Sequence, residues 1–116
     1  MEKEYPDFSK LNGLVPVIVQ DAKTNQVLMC AYMNRQAYEQ TLKLKQMVYF
    51  SRSRNSLWHK GATSGNYQNL IELYLDCDND TLLAKVEQIG VGACHTGRVS
   101  CFYKVIGEDG AVSRLL

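Results

Sequence analysis

Leu14-Val15-Pro16-Val17-Ile18-Val19-Gln20, then Asp21-Ala22-Lys23-Thr24-Asn25, then Gln26-Val27-Leu28-Met29-Cys30-Ala31-Tyr32-Met33 reads as a strand, a turn and a returning strand. β-Branched residues fill the first run, as they do on a pleated surface. Pro16 has no N–H to give, so it belongs to a sheet edge or to the first residues of the strand. Asp and Asn supply the turn between the runs. Cys30 stands in an apolar run and reads as a core residue.

From this hairpin the pattern extends toward the C-terminus. Asn34 is a helix N-cap, and the helix it starts runs to about Lys45, with Ala37, Tyr38, Thr41 and Leu42 on one face. Met47-Val48-Tyr49-Phe50 is extended again, Asn55-Ser56 breaks it, and Leu57-Trp58-His59-Lys60 resumes. Tyr67 to Leu75 alternates through Leu70, Glu72 and Tyr74 as a strand does. Thr81 to Ile89 fits a helix face or a strand face; its shortness and the turn residues Asp78-Asn79-Asp80 before it favour a strand. Phe102 to Ile106 is a last short strand. The expectation is a strand-rich α+β fold, a curved, mostly antiparallel sheet of hairpins with one or two helices. The 116 residues form one domain without repeat or linker.

Hydrophobic residues make up 46% and charged residues 22%, enough for a core. The net charge is +1 with no long basic run, which argues against a general nucleic-acid or membrane-surface binder. The charged start, Met1 to Pro6, is followed by no apolar stretch, so neither a secretory signal nor a membrane span is expected, and the cytoplasm is the expected compartment. There, four cysteines are thiols or metal ligands sooner than disulfides.

Three segments carry candidate chemistry. Asp76-Cys77-Asp78-Asn79-Asp80 puts three carboxylates and a thiol within five residues. If the segment is extended, Asp76, Asp78 and Asp80 share one face and Cys77 takes the other. Hard carboxylates suit Mg²⁺ and a soft thiolate suits zinc, though a solvated acidic turn has the same composition. The segment is no EF-hand, since the glycine and distal glutamate are missing.

Gly90 to Cys101 is a glycine-rich loop with Cys94 and Cys101 near its ends. With Cys77 these make a three-thiolate zinc site with a fourth position open, the catalytic kind, or they are buried thiols. The spacing C-x16-C-x6-C is no generic zinc signature. His95 beside Cys94 is a fourth ligand, a general base, or a loop residue without a role. Finally, Ser51-Arg52-Ser53-Arg54 and Leu57 to Gly65 gather arginines, a lysine, hydroxyls and glycines suited to a phosphate, without the order of a P-loop. Trp58 stacks on a base or packs in the core.

Taken together, Ser51-Arg52-Ser53-Arg54, Leu57-Trp58, Lys60-Gly61, Thr63-Ser64-Gly65, Gln68, Asp76-Cys77-Asp78, Asp80, Ala93-Cys94-His95-Thr96-Gly97 and Ser100-Cys101-Phe102 resemble the phosphoribosyl-AMP cyclohydrolase family. Val27-Leu28-Met29 and Ala31-Tyr32-Met33-Asn34 resemble its early strand, so the likeness runs from about Leu14 to Tyr103. One position departs: Ala62 stands where the family usually has Glu after Lys-Gly.

The resemblance implies hydrolytic opening of the purine ring of N1-(5-phosphoribosyl)-AMP at the N1–C6 bond, in histidine biosynthesis. It also implies zinc on Cys77, Cys94 and Cys101, and Mg²⁺ on Asp76, Asp78 and Asp80. His95 then transfers the proton, and Arg52, Arg54, Lys60 and Ser64 contact phosphate and ribose. It further implies an intertwined homodimer whose zinc site is shared, Cys77 of one chain meeting Cys94 and Cys101 of the other. A chain this short encloses two metals and a nucleotide poorly by itself. Some relatives carry a second, pyrophosphate-cleaving domain; this chain is expected to have the cyclohydrolase activity alone.

Two other classes compete. A structural zinc module without turnover would need a closed site, Cys77, Cys94 and Cys101 with His95 or Cys30. A deaminase-type zinc hydrolase would need His-x-Glu and Pro-Cys-x-x-Cys, and neither is present. A redox role would want Cys-x-x-Cys, also absent.

Overall fold

A computed structural model describes residues 3–115. Its main sheet has four strands in the order β2-β1-β6-β5, namely β1 Val15–Asp21, β2 Val27–Met33, β6 Leu82–Gln88 and β5 Gln68–Leu75. Two further hairpins stand apart, β3 Val48–Ser51 with β4 Ser56–His59, and β7 Lys104–Ile106 with β8 Val112–Arg114. The single helix among the described residues is α1, Arg35–Leu44.

The β1–β2 and β5–β6 pairs are antiparallel hairpins, as the turn residues require. The central β1–β6 pair is parallel, with Val17 opposite Leu82 and Asp21 opposite Val86. The sheet is therefore mixed, because everything between β1 and β6 serves as one long crossover. Pro16 is the second residue of a central strand and pairs only with Tyr32, while the β6 pairing begins at Val17.

Alternation buries one face. Val15, Val17, Val19, Leu82, Ala84 and Val86 point into the core with Met29 and Met33. The other face carries a row that crosses all four strands, Cys30, Ile18, Leu83 and Tyr74. Ile18 and Tyr74 keep 39% and 43% of their surface open. Cys30 is thus exposed, a correction to its reading as core, since it opposes Ile18 rather than Val17 or Val19. In β5 the irregularity between Leu70 and Glu72 shifts the alternation, so Leu70, Leu73 and Leu75 pack against the core and Ile71 is left exposed.

Helix α1 follows its cap: Asn34 Oδ1 accepts from Ala37 N at 2.8 Å. It ends at Lys45, which turns left-handed at φ 57°. Ala37 and Thr41 are buried and Tyr38 half-buried, whereas Leu42 is exposed, so the packed face is narrower than the spacing suggested. Thr41 Oγ1 fastens the helix to β3, donating to the Val48 carbonyl at 3.1 Å and accepting from Val48 N at 3.0 Å.

A buried polar chain joins the β3–β4 hairpin to the sheet. The Tyr49 hydroxyl donates to Gln68 Oε1 at 2.5 Å, and Gln68 Nε2 donates to Gln88 Oε1 at 2.8 Å. Tyr49 and Gln68 are fully buried. Burial pushes the Tyr49 phenol well above its ordinary value, so it stays a donor at neutral pH. Tyr49→Phe leaves a buried amide oxygen without a donor. It is expected to cost about 1–3 kcal/mol, read as a lower urea midpoint at unchanged slope.

Candidate active site and metal centres

The acidic segment is a turn. β5 ends at Leu75, and Asn79 takes a left-handed conformation at φ 64°. Asp76 Oδ1 accepts from Asp80 N at 3.0 Å and from Thr81 N at 3.1 Å, which folds the chain back toward β6. The carboxylates of Asp76, Asp78 and Asp80 converge through this turn, one oxygen of each within 4.8 Å of the others. Strand alternation, the basis on which they were expected to share a face, is not what gathers them.

Lys10 completes this centre from outside the segment. Its Nζ lies 3.2 Å from Asp80 Oδ2 and 3.1 Å from the Asp78 carbonyl. A hydrogen bond shared with Asp80, together with the charges around it, lifts the Asp78 carboxyl above its usual range, and the bond from Lys10 holds Asp80 below it. Asn79 Oδ1, in the same turn, is buried without a partner. The turn therefore holds more acceptors than donors. Nothing near Lys10 in the sequence marks it for this role; only the fold brings it 68 positions along the chain to the turn.

The glycine loop closes on itself. Ala93 N donates to the Val99 carbonyl at 3.0 Å and Cys94 N to the Arg98 carbonyl at 3.1 Å. Gly92 permits the crossing, because a Cβ there would stand 2.4 Å from the Arg98 carbonyl oxygen, at φ 148°. Cys101 N is tied to the Leu28 carbonyl at 2.7 Å. Cys94 and Cys101 are brought together: the Thr96 hydroxyl, 3.0 Å from Cys94 Sγ, is the main cause that lowers the Cys94 pKa, while burial and then the neighbouring Cys94 raise that of Cys101.

Cys77 is not with them. It follows the Leu75 end of β5, whereas Gln68 at the other end touches Tyr49, whose phenol feels Cys101. The eight residues of β5 span about 23 Å at 3.3 Å per residue. Thiolates of one zinc site lie within about 4 Å of each other, given Zn–S bonds of about 2.3 Å. Among the described residues, the acidic turn is the one place where three His, Cys, Asp or Glu side chains come close enough together to hold a metal ion.

The basic segment divides. Arg52 stacks on Tyr32 at 4.0 Å and lines a cavity with Lys10 and Asn12. Arg54 lines another, of about 530 Å³, with Ser51, Ser53, Trp58 and His95. Ser64 lies in a cavity of about 350 Å³ with Thr63, Asn66, Cys94 and His95. Ala62 is exposed beside it. Lys60 is buried, its Nζ donating to the Ala93 carbonyl at 2.6 Å beneath the Trp58 ring. Burial lowers its pKa, and the nearby Cys101 and Cys94 oppose that shift. His59 is occupied by Gln46 at 2.9 Å, while His95 is exposed.

Residues 29–103 match the sequence profile of the family described as Phosphoribosyl-AMP cyclohydrolase, a span that includes both ligand clusters. The chain is 62% identical over 103 residues to the phosphoribosyl-AMP cyclohydrolase of Streptococcus thermophilus, covering 89% of this chain and 91% of that one. It is 61% identical to the enzyme of that name from Streptococcus mutans, over 86% and 91% of the two chains. Against that of Nitratidesulfovibrio vulgaris the identity is 57%, over 93% and 85%. No helix in the described residues is long and apolar enough to cross a membrane. With a profile match over most of its length and relatives this close along nearly all of it, the chain belongs to the phosphoribosyl-AMP cyclohydrolase family.

Proposed function

We propose that this chain opens the adenine ring of N1-(5-phosphoribosyl)-AMP by hydrolysis at the N1–C6 bond, a step of histidine biosynthesis. The observation that carries the reading is the family match, which spans every candidate ligand and His95. In the reaction water adds to C6, the C6–N1 bond breaks, C6 becomes a carboxamide carbonyl and N1 an amidine nitrogen. Two protons must move, one from the attacking water and one onto the departing nitrogen. His95, exposed where two cavities meet beside Cys94, is the group that transfers them.

The donor sets fit two metals. The acidic turn offers clustered hard oxygens, suited to Mg²⁺. Cys94 and Cys101 offer two adjacent thiols, suited to zinc but one short of three. We assign the third to Cys77 of a second copy, since β5 holds this chain's own Cys77 away. When bound, the zinc supplies Lewis acidity toward water and the Mg²⁺ offsets phosphate charge. The uncovered row of Cys30, Ile18, Leu83 and Tyr74 ends beside Asp76 and supports a homodimer joined on that face.

Incubation of the purified protein with phosphoribosyl-AMP, followed in the ultraviolet as the purine opens, tests the reading; an unchanged spectrum with both metals supplied refutes it. The hard-cation site has its own measurement. At a hundred times its Kd, Mg²⁺ stabilises a folded protein by about 2.7 kcal/mol, roughly ten degrees in Tm for a domain of this size. Asp78→Asn keeps size and removes charge. It is expected to lose most of that Mg²⁺-dependent rise and most of the activity, while zinc content stays. Equal responses to Mg²⁺ from both proteins would show that the turn binds no cation.

A further inference from the structure

Trp58 is exposed where its position says it should be covered. It pairs with Tyr49 across the β3–β4 hairpin, so the two rings lie on the same side, with centroids 5.5 Å apart. Tyr49 is fully buried, yet Trp58 keeps 42% of its surface open. A large aromatic packed on a buried neighbour normally goes in with it.

The open part of the indole faces two cavities. One, of about 350 Å³, holds Thr63, Ser64, Asn66 and Cys94; the other, of about 530 Å³, holds Arg54, Ser51 and Ser53. They have two lining residues in common, Trp58 and His95. The first carries hydroxyls, an amide and a thiol, the second a guanidinium and serine hydroxyls suited to phosphate. The ring between them is held from below, since Lys60 Nζ lies 4.9 Å from its centroid and is itself fixed to the Ala93 carbonyl.

We propose that the Trp58 indole is the surface on which the substrate's purine stacks, presenting the ring to His95 while a phosphate reaches Arg54. Flat aromatic faces bind bases in this way without reading their edges. The inference rests on the function proposed above and adds to it a substrate-binding residue.

The chain has a single tryptophan, so its emission reports this position directly. Wild-type protein titrated with AMP, which keeps the purine and the 5′-phosphate but lacks the phosphoribosyl group on N1, is expected to show quenched emission. Ribose 5-phosphate, which has no base, is expected to leave it unchanged. In turnover assays Trp58→Leu is expected to lower kcat/KM by roughly ten- to hundredfold, mostly through KM, and Trp58→Phe to recover most of that loss. AMP that binds by equilibrium dialysis without moving the emission overturns the proposal. So does Trp58→Leu with wild-type kcat/KM, or an emission that responds only to dilution of the protein, which would mean that a second chain covers the ring. The emission measurement needs no variant, so it decides the matter even where Trp58→Leu fails to fold. Wild-type protein that leaves phosphoribosyl-AMP intact refutes the proposed function instead, and does so in a separate assay.

Discussion

Refolding Cys77→Ala and Cys101→Ala chains together is expected to restore about a quarter of wild-type activity and zinc, from two proteins each inactive alone. The expectation follows from the length of β5. If no chain can bring its own Cys77 to its Cys94 and Cys101, each three-thiolate site takes Cys77 from one chain and the pair from the other, and two-fold symmetry makes two such sites. In a mixed dimer one site then carries both defects. The other joins an intact Cys77 to an intact Cys94 and Cys101. Random pairing makes about half the dimers mixed, each with one good site of two, which gives the quarter. Elemental analysis after dialysis measures the zinc, and the ultraviolet assay measures turnover. No recovery, in a mixture shown to contain mixed dimers, would mean that the site is built from one chain and that β5 is placed otherwise in the active protein.

His95→Ala is expected to lower turnover by roughly 10²- to 10⁴-fold, the usual worth of a positioned proton-transfer group, while zinc content stays at the wild-type level. His95 is exposed at the meeting of the two cavities, next to Cys94 in sequence but outside any ligand cluster among the described residues. A proton carrier and a zinc ligand give different results in one experiment. If zinc leaves with the imidazole, His95 is a ligand, and the structural-module reading regains its footing. If zinc stays and turnover falls, the histidine acts on the substrate.

Local chemistry made most of the fold legible. Asn34 caps its helix, the Asp21–Asn25 turn closes its hairpin, and the segment with two periodicities, Thr81 to Ile89, became β6. What could not be read is what depends on distant partners. The parallel pairing of β1 with β6 leaves no mark in either strand. The shift in β5 hid which of its residues face inward, and Cys30 was misread because hydrophobic neighbours on both sides disguised its place on the open face. The β7–β8 hairpin was half seen, since Val112–Arg114 is too short to announce itself.

The site divides in the same way. The acidic turn and the cysteine loop were visible as residue types, because ligand chemistry is a property of side chains. Their separation along β5, the reach of Lys10 to Asp80 and the burial of Lys60 under Trp58 belong to geometry, and no spacing rule contains them.

The parallel centre of the sheet has a consequence for how the chain matures. Val17 cannot find Leu82 until the ribosome has released residues beyond 82, so the first strand made must wait for the sixth. Until then the β1–β2 hairpin has no β6 to cover its edge, and a lone hairpin is only marginally stable in water. Pairing so distant in sequence closes slowly. Closure of the sheet is therefore set to come late, with the valines of β1 exposed to aggregation and to chaperones until β6 has been made.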